Sequence, residues 1–119
     1  MAIRKILMYP DSRLLKQSVK IEKIDTEVKA IAEDLIDTMY SAEGVGLAAP
    51  QIGINKRIFV MDCNDGQEKR EYMIVINPEI ISSSEELNTY REGCLSIPEI
   101  TEEVVRPKTV HVSYQDLSG

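Results

Sequence analysis

Residues 44–51 have the sequence GVGLAAPQ and join a predicted helix to a predicted sheet. Two glycines flank Val45 and two alanines follow, so the backbone here can lie close to another part of the protein. A helix C-terminus and a tight turn would account for Gly44 but not for Gln51, whose amide both donates and accepts hydrogen bonds. The stretch is not a phosphate-binding loop, because it contains neither GxGxxG nor the GKS or GKT ending and it follows a helix.

Apolar residues recur at helical spacing before this stretch and predict an amphipathic helix over residues 26–42. Asp25 is the predicted N-cap, and Gly44 is the predicted stop. The apolar face comprises Val28, Ile31, Ala32, Leu35, Met39 and Ala42. The polar residues are expected to face elsewhere, and they are Glu27, Lys29, Glu33, Asp34 and Asp37.

The sequence after residue 56 favours strands. Residues 57–62 (RIFVMD) predict a short strand, and Asn64, Asp65 and Gly66 predict a hairpin turn before residues 71–78 (EYMIVINP). Asn77 and Pro78 are expected to break that run, which resumes at Ile80 and Ile81. Val110, Val112 and Tyr114 alternate with Thr109, His111 and Ser113, which predicts a half-buried strand with His111 on its solvent side. Residues 116–119 predict a turn, and the whole is expected to be one α+β domain, with the helix packed on an antiparallel or mixed sheet.

Length and charge limit the possible functions. The chain has 119 residues, enough for a single hydrophobic core. Fourteen basic against twenty acidic residues give a net charge of -6, which disfavours nucleic acid and anionic membranes as partners. The N-terminal residues contain no long apolar run, which indicates a cytoplasmic protein with neither a signal peptide nor a spanning helix.

Residues 92–96 (EGCLS) contain one of the two cysteines. A single cysteine is more often a small buried hydrophobe than a nucleophile or a ligand, so this stretch alone is weak evidence. Taken together, GVGLAAPQ and EGCLS resemble the first two signature motifs of the peptide deformylases, residue for residue. The resemblance extends over essentially the whole chain, including Tyr9 and Pro10, the helix before Gly44, and Asn77 with Pro78.

The resemblance implies a fold and a chemistry. Peptide deformylases remove the formyl group from the N-terminal methionine of new bacterial or organellar polypeptides, using a divalent metal, usually iron, held by one cysteine and two histidines. By position, Cys94 is that cysteine, and a thiolate suits Fe²⁺ or Zn²⁺. Gln51 and the backbone N–H of Leu95 would donate to the oxyanion. The implied substrate-binding residues are Gly44, Val45, Gly46, Tyr90, Glu92 and Gly93, with the peptide added to Val45 and Gly46 as an extended strand.

The third motif of the family is HExxH on a helix, which supplies two histidine ligands and the glutamate base. It does not occur in these 119 residues, whose single histidine is His111. The resemblance therefore implies the family fold without its C-terminal metal-binding helix. A second departure from the family pattern follows Pro98. Many relatives carry a substrate-binding arginine there, whereas the next basic residue in this chain is Arg106.

Three hypotheses remain open at this point. The chain is a degenerate deformylase-like protein that cannot hold the metal, or a fragment of a working deformylase whose HExxH is supplied elsewhere, or a small metal-binding module that uses Cys63, Cys94 and His111. Under the first two, the chain alone is expected to be inactive, to bind no metal stably, and to be marginally folded unless self-association or a complementing fragment covers its exposed apolar surface.

Overall fold

The computed structural model describes residues 2–63 and 70–119, and its architecture is α+β. The predicted turn at Asn64, Asp65 and Gly66 lies outside the described residues. The elements are one α-helix, α1 (Thr26–Ser41), and the strands β1 (Gly46–Ala48), β2 (Ile58–Met61), β3 (Met73–Ser83), β4 (Leu87–Cys94), β5 (Ile97–Pro107) and β6 (Val110–Gln115). Short 3-10 helices cover Ser12–Leu15 and Ala49–Ile52. The predicted α+β class with antiparallel sheets is confirmed.

Helix α1 forms where the apolar periodicity predicts it. The Asp25 side chain accepts a hydrogen bond from the Val28 N–H at 3.1 Å and so caps the helix, as predicted. The predicted apolar residues from Val28 to Met39 are buried, and Leu35 and Met39 are fully inaccessible. These side chains face β1 and β2, so burial of one helical stripe holds the helix on the sheet.

The end of α1 differs from the prediction. Glu43, not Gly44, adopts the left-handed conformation, with φ of 57°, and the helix ends at Ser41. The Gly44 N–H bonds to the Met39 carbonyl at 3.0 Å and the Glu43 N–H bonds to the Tyr40 carbonyl at 3.1 Å, which is the Schellman arrangement. Gly44 is therefore not needed for its backbone freedom.

Asp34 was expected to face away from the core, and that expectation is wrong. Its side chain lies beneath the N-terminal segment and the residue is only 5% exposed. The carboxylate accepts hydrogen bonds from the Ala2 N–H at 2.7 Å and from the Arg4 Nε at 2.8 Å. Burial raises the pKa of the Asp34 carboxyl, but these hydrogen bonds and the Arg4 charge outweigh it, so the net pKa is lowered.

We predict that Asp34→Asn lowers the free energy of unfolding at neutral pH by about 1–3 kcal/mol, because a charge-assisted hydrogen bond is lost in a buried position. The lowered pKa means that this stabilisation is present above the unfolded-state value of about 3.9 and is lost as the pH falls below it. Urea unfolding of both proteins at neutral and acid pH measures the difference. Glu33→Gln, an exposed change on the same helix, is the control and should change little. An equal effect of both substitutions would contradict the prediction.

The main sheet has four antiparallel strands in the order β1-β2-β3-β6. Strand β2 falls within the predicted residues 57–62, and its Ile58 and Val60 point into the core while Phe59 and Met61 are half-buried. Leu47 from β1 and Ile76 from β3 complete the same buried layer beneath α1. The helix and the first strands thus form one core that holds residues 44–51 in place.

Strand β3 is continuous, so the break predicted at Asn77 and Pro78 is wrong. The register against β6 shifts between Ile76 and Glu79, and Asn77 has φ of 51°, which together form a bulge. Asn77 is buried and bonds through its amide to the backbone N–H and carbonyl of Ile21, at 2.8 and 2.6 Å. A bulge accommodates a proline, which has no N–H for the ladder.

Strand β6 forms as predicted but is less buried than its alternating pattern indicates. Val110 and Tyr114 are 52% and 43% exposed, and Val112 is half-buried. His111 is exposed, in agreement with the predicted solvent side. The predicted turn after β6 is confirmed, since the Gly119 N–H bonds to the Asp116 carbonyl at 3.0 Å.

Strands β4 and β5 form a separate two-stranded antiparallel sheet whose extent the sequence patterns did not predict. Most of its side chains are exposed on both faces, so it lacks the alternation that marks a half-buried strand. Cys94 ends β4, and Leu95 and Ser96 turn the chain into β5. Within residues 2–63 and 70–119, no helix has the length and apolar character needed to cross a membrane.

Candidate active site

The two motifs meet where the β4–β5 hairpin contacts the four-stranded sheet. Gln51 lies in the 3-10 helix Ala49–Ile52 directly after β1, and Cys94 lies at the end of β4. The Gln51 Nε2 is 3.6 Å from the Cys94 Sγ and 3.1 Å from the Ser96 Oγ. Residues 43 positions apart in sequence are thus brought into hydrogen-bonding contact.

The orientation of the Gln51 amide is determined by its neighbours. The Ala48 N–H donates to the Gln51 Oε1 at 3.0 Å, and a backbone N–H can bond only to an acceptor. The amide oxygen therefore faces Ala48, and the amide N–H groups face Cys94 and Ser96. The result is a hydrogen-bond donor held beside an exposed thiol.

Within the part of the chain that the structure describes, β1 pairs only with β2, so its other edge is open. The Val45 carbonyl, one residue before β1, accepts from the Asp62 N–H at 2.9 Å, so it points toward β2. Backbone groups of successive residues in a strand point to opposite sides, so the N–H and carbonyl of Gly46 point to the free edge. Gly46 is exposed, and the same edge leads along β1 to the amide of Gln51.

Gly44 and Leu95 are in close contact across the site. A Cβ atom at Gly44 would lie 2.7 Å from the Leu95 Cδ1, closer than two carbon atoms can approach without a shift. Leu95 is half-buried and packs against the hydrophobic core. A side chain at position 44 would therefore displace the end of the Leu95 side chain, whereas glycine lets the two motifs pack closely.

We predict that Gly44→Ala destabilises the protein by about 1 kcal/mol, the low end of the cost of overpacking, because the added methyl group displaces only the end of the Leu95 side chain. The same substitution should cost less in a Leu95→Ala background, where the clashing atom is gone. Urea unfolding of the wild type, both single variants and the double variant gives the coupling energy. Additive losses would show that the two residues do not interact.

The remaining residues with implied substrate roles lie on β4. Tyr90 and Glu92 share a face of the strand, since alternate residues point the same way, and Tyr90 is 67% exposed. Glu92 forms a two-pronged ion pair with Arg106, at 2.7 and 2.8 Å. The hydrogen bonds from Arg106 lower the pKa of the Glu92 carboxyl. Gly93 is exposed on the opposite face, beside Thr101.

Metal-binding potential rests on Cys94. Within residues 2–63 and 70–119, no three histidine, cysteine or acidic side chains are grouped closely enough to hold an ion. Cys63, Cys94 and His111, the alternative ligand set that the sequence left open, are therefore not grouped at one point in this part of the chain. Cys94 is free and exposed, which suits it to serve as one soft ligand of a larger set.

Comparisons with known proteins identify the family of this chain. The family described as polypeptide deformylase matches residues 3–119. The chain belongs to the polypeptide deformylase family. The peptide deformylase of Afipia carboxidovorans is 50% identical over 119 residues, which cover all of this chain and 70% of that protein.

Solved structures of family members show the same fold. The peptide deformylase from Legionella pneumophila aligns with a TM-score of 0.92 and 44% identity, covering 99% of this chain and 68% of that one. The Ehrlichia chaffeensis peptide deformylase in complex with actinonin aligns with a TM-score of 0.92 and 36% identity, covering 100% of this chain and 72% of that one. The deformylase fold predicted from the two motifs is therefore confirmed.

Sequence reasoning missed two features of this candidate site. Ser96 belongs to the second motif, but no role was assigned to its hydroxyl, which bonds to Gln51. The second feature is a pair formed by Tyr40 and Asp62, in which the tyrosine hydroxyl donates to the carboxylate. A serine within a recognised motif could have been singled out, whereas nothing in the local sequence links positions 40 and 62.

The pair of Tyr40 and Asp62 supports the start of β1. Asp62 bonds through its N–H to the Val45 carbonyl, and its carboxylate also accepts from the Glu71 N–H at 3.0 Å. The Arg70 guanidinium lies over the Tyr40 ring, 4.2 Å from the centroid. Burial and the hydrogen bond to the Asp62 carboxylate raise the pKa of Tyr40 to about 12.

We predict that Tyr40→Phe lowers the free energy of unfolding by about 1.5 kcal/mol at neutral pH, since a hydrogen bond to a carboxylate is lost. The raised pKa means that the stabilisation persists below the unfolded-state pKa of about 10. It is lost as the pH rises through about 12. Unfolding of both proteins across this range measures the difference, with Tyr114→Phe as an exposed control. A difference that stays constant up to the highest pH would contradict the assignment.

Proposed function

We propose that this chain supplies the substrate-binding side of a peptide deformylase site, in which the formyl group is hydrolysed from the N-terminal methionine of new polypeptides. The single observation that carries the proposal is the Gln51 amide, whose oxygen is held by the Ala48 N–H and whose Nε2 lies 3.6 Å from the Cys94 Sγ. Such a fixed donor beside a potential metal ligand suits a reaction in which charge develops on a carbonyl oxygen.

A divalent metal fits Cys94 as one ligand. The family resemblance implies Fe²⁺ or Zn²⁺ with two further histidines, and those histidines are not among the 119 residues. When bound, such a metal would supply Lewis-acid activation of water. The chain's own contribution is to donate hydrogen bonds from the Gln51 Nε2 and the Leu95 N–H to the formyl oxygen as negative charge builds on it.

The free edge of β1 is the proposed binding surface for the peptide. An extended peptide that pairs with the exposed N–H and carbonyl of Gly46 would run along the edge that ends at Gln51. Gly44 and Val45 precede this edge, and Tyr90, Glu92 and Gly93 are proposed to surround the methionine side chain. Arg106 is paired with Glu92, so its guanidinium is held by that carboxylate.

The proposed partners follow from this site. They are formyl-methionyl peptides, encountered in the bacterial or organellar compartment where polypeptides are made, which corresponds to a cytoplasmic protein. The net charge of -6 disfavours nucleic acid as a ligand. Strand β6, whose Val110 and Tyr114 are exposed at 52% and 43%, is the apolar edge proposed for self-association or for a complementing segment.

We predict that the 119-residue polypeptide alone releases no formate from a formyl-methionyl peptide supplied with Fe²⁺ or Ni²⁺, because it holds one of the implied ligands and no HExxH glutamate. Formate is measured against a Cys94→Ala control. Turnover above that control would contradict the prediction. Formate release after addition of a separate polypeptide carrying HExxH would favour a complemented deformylase, and no release would favour a degenerate one.

Peptide binding tests the substrate surface independently of turnover. We predict that Gln51→Leu weakens binding of a formyl-methionyl peptide by roughly 3- to 10-fold, the effect of one hydrogen bond. Binding is followed by NMR titration, and the exposed Gln17→Leu is the control. If the wild type and Gln51→Leu bind the formyl-methionyl peptide with equal affinity, the proposed role of the amide is wrong.

A further inference from the structure

Ser96 has an unusual environment for a residue between two exposed strands. It is 3% exposed, and it is the only buried residue after Asn77, in a region that the structure describes throughout. Its neighbours Cys94 and Ile97 are exposed. A hydroxyl buried in a turn requires a hydrogen-bond partner, and here the partner is a residue of the other motif.

The contacts of Ser96 connect three segments. Its Oγ accepts from the Gln51 Nε2 at 3.1 Å, and its carbonyl accepts from the Tyr9 N–H at 2.8 Å. The Leu7 N–H donates to the Gln51 carbonyl at 2.7 Å. The N-terminal segment therefore binds the backbones of both residues, while their side chains bind each other.

The geometry of a primary amide explains what the Ser96 hydroxyl adds. The terminal torsion of glutamine is broad, so one hydrogen bond from Ala48 to the oxygen leaves the amide plane free to turn. A second bond, from Nε2 to the Ser96 Oγ, defines that plane. One N–H of the amide is then used by Ser96, and the other is left to point toward Cys94.

We infer that Ser96 is a positioning residue, whose hydroxyl holds the Gln51 amide so that its second N–H is directed at the reacting carbonyl oxygen beside Cys94. The assignment of that oxygen rests on the proposed function. The fixed amide plane does not, because it follows from the contacts of Gln51 with Ala48 and Ser96 alone. Loss of the hydroxyl leaves the backbone contact of Ser96 with Tyr9 intact, so the effect on the amide is separable from the attachment of the hairpin.

The test compares Ser96→Thr with Ser96→Val, two side chains of equal shape of which only threonine has a hydroxyl. Ser96→Ala is the smaller variant, and Ser82→Ala, at an exposed serine of β3, is the control. The primary readout is the NMR signal of the Gln51 side-chain amide. In the wild type and in Ser96→Thr, its protons should exchange with solvent about tenfold more slowly than in Ser96→Val or Ser96→Ala, and show contacts with Cys94 protons.

A second readout is the affinity for a formyl-methionyl peptide, which should fall by the same roughly 3- to 10-fold in Ser96→Val as in Gln51→Leu, without a further loss in the double variant. An unchanged Gln51 amide signal in Ser96→Val and Ser96→Ala would overturn the inference. If the signal changes as expected but no variant or wild-type protein binds the peptide, the positioning role stands and the proposed function fails. Additive losses of affinity in the double variant would also overturn the inference that Ser96 positions the Gln51 amide.

Discussion

The hydrogen bonds of Gln51 join the parts of this protein that form the site. Its carbonyl binds the N-terminal segment through Leu7, its side-chain oxygen binds Ala48 of β1, and its Nε2 reaches Ser96 and Cys94 on the hairpin. Among the described residues, the β4–β5 sheet shares no strand pairing with the four-stranded sheet. The contacts that hold the Cys94 thiol near β1 include these hydrogen bonds, the bond from the Tyr9 N–H to the Ser96 carbonyl and the packing of Leu95.

The hydrophobic core holds the residues that lead into the site. Helix α1 buries Leu35 and Met39 against β1 and β2, and the helix ends immediately before Gly44. Glu43 takes the left-handed conformation at the helix end, and Gly44 contacts Leu95, whose side-chain end would have to move if position 44 carried a Cβ atom. The end of the helix and the cysteine motif are thus placed by the same contact, so packing in the core and geometry in the site are linked.

The free edge of β1 can bind a peptide, but it can also pair with another protein chain and promote aggregation. An exposed strand edge offers unpaired backbone groups to any other chain, and proteins commonly limit that risk with short edge strands. Strand β1 has three residues, and the Gln51 side chain occupies the Ala48 N–H on that edge. The open part is confined to the region of Gly46, which is enough for a short extended peptide and too little for extensive strand pairing.

The sequence by itself determined two things: the secondary-structure elements that local patterns of hydrophobicity and capping predict, and the family, which the two motifs identify. Helical periodicity and the Asp25 cap located α1, a short apolar run located β2, alternation located β6, and GVGLAAPQ with EGCLS identified the deformylase fold. Tertiary structure alone decided the burial of Asp34, the bulge at Asn77 and the contact of Ser96 with Gln51. In each of these cases a polar group is satisfied by a partner 30 or more residues away, and no local pattern of propensity or hydrophobicity records where that partner lies.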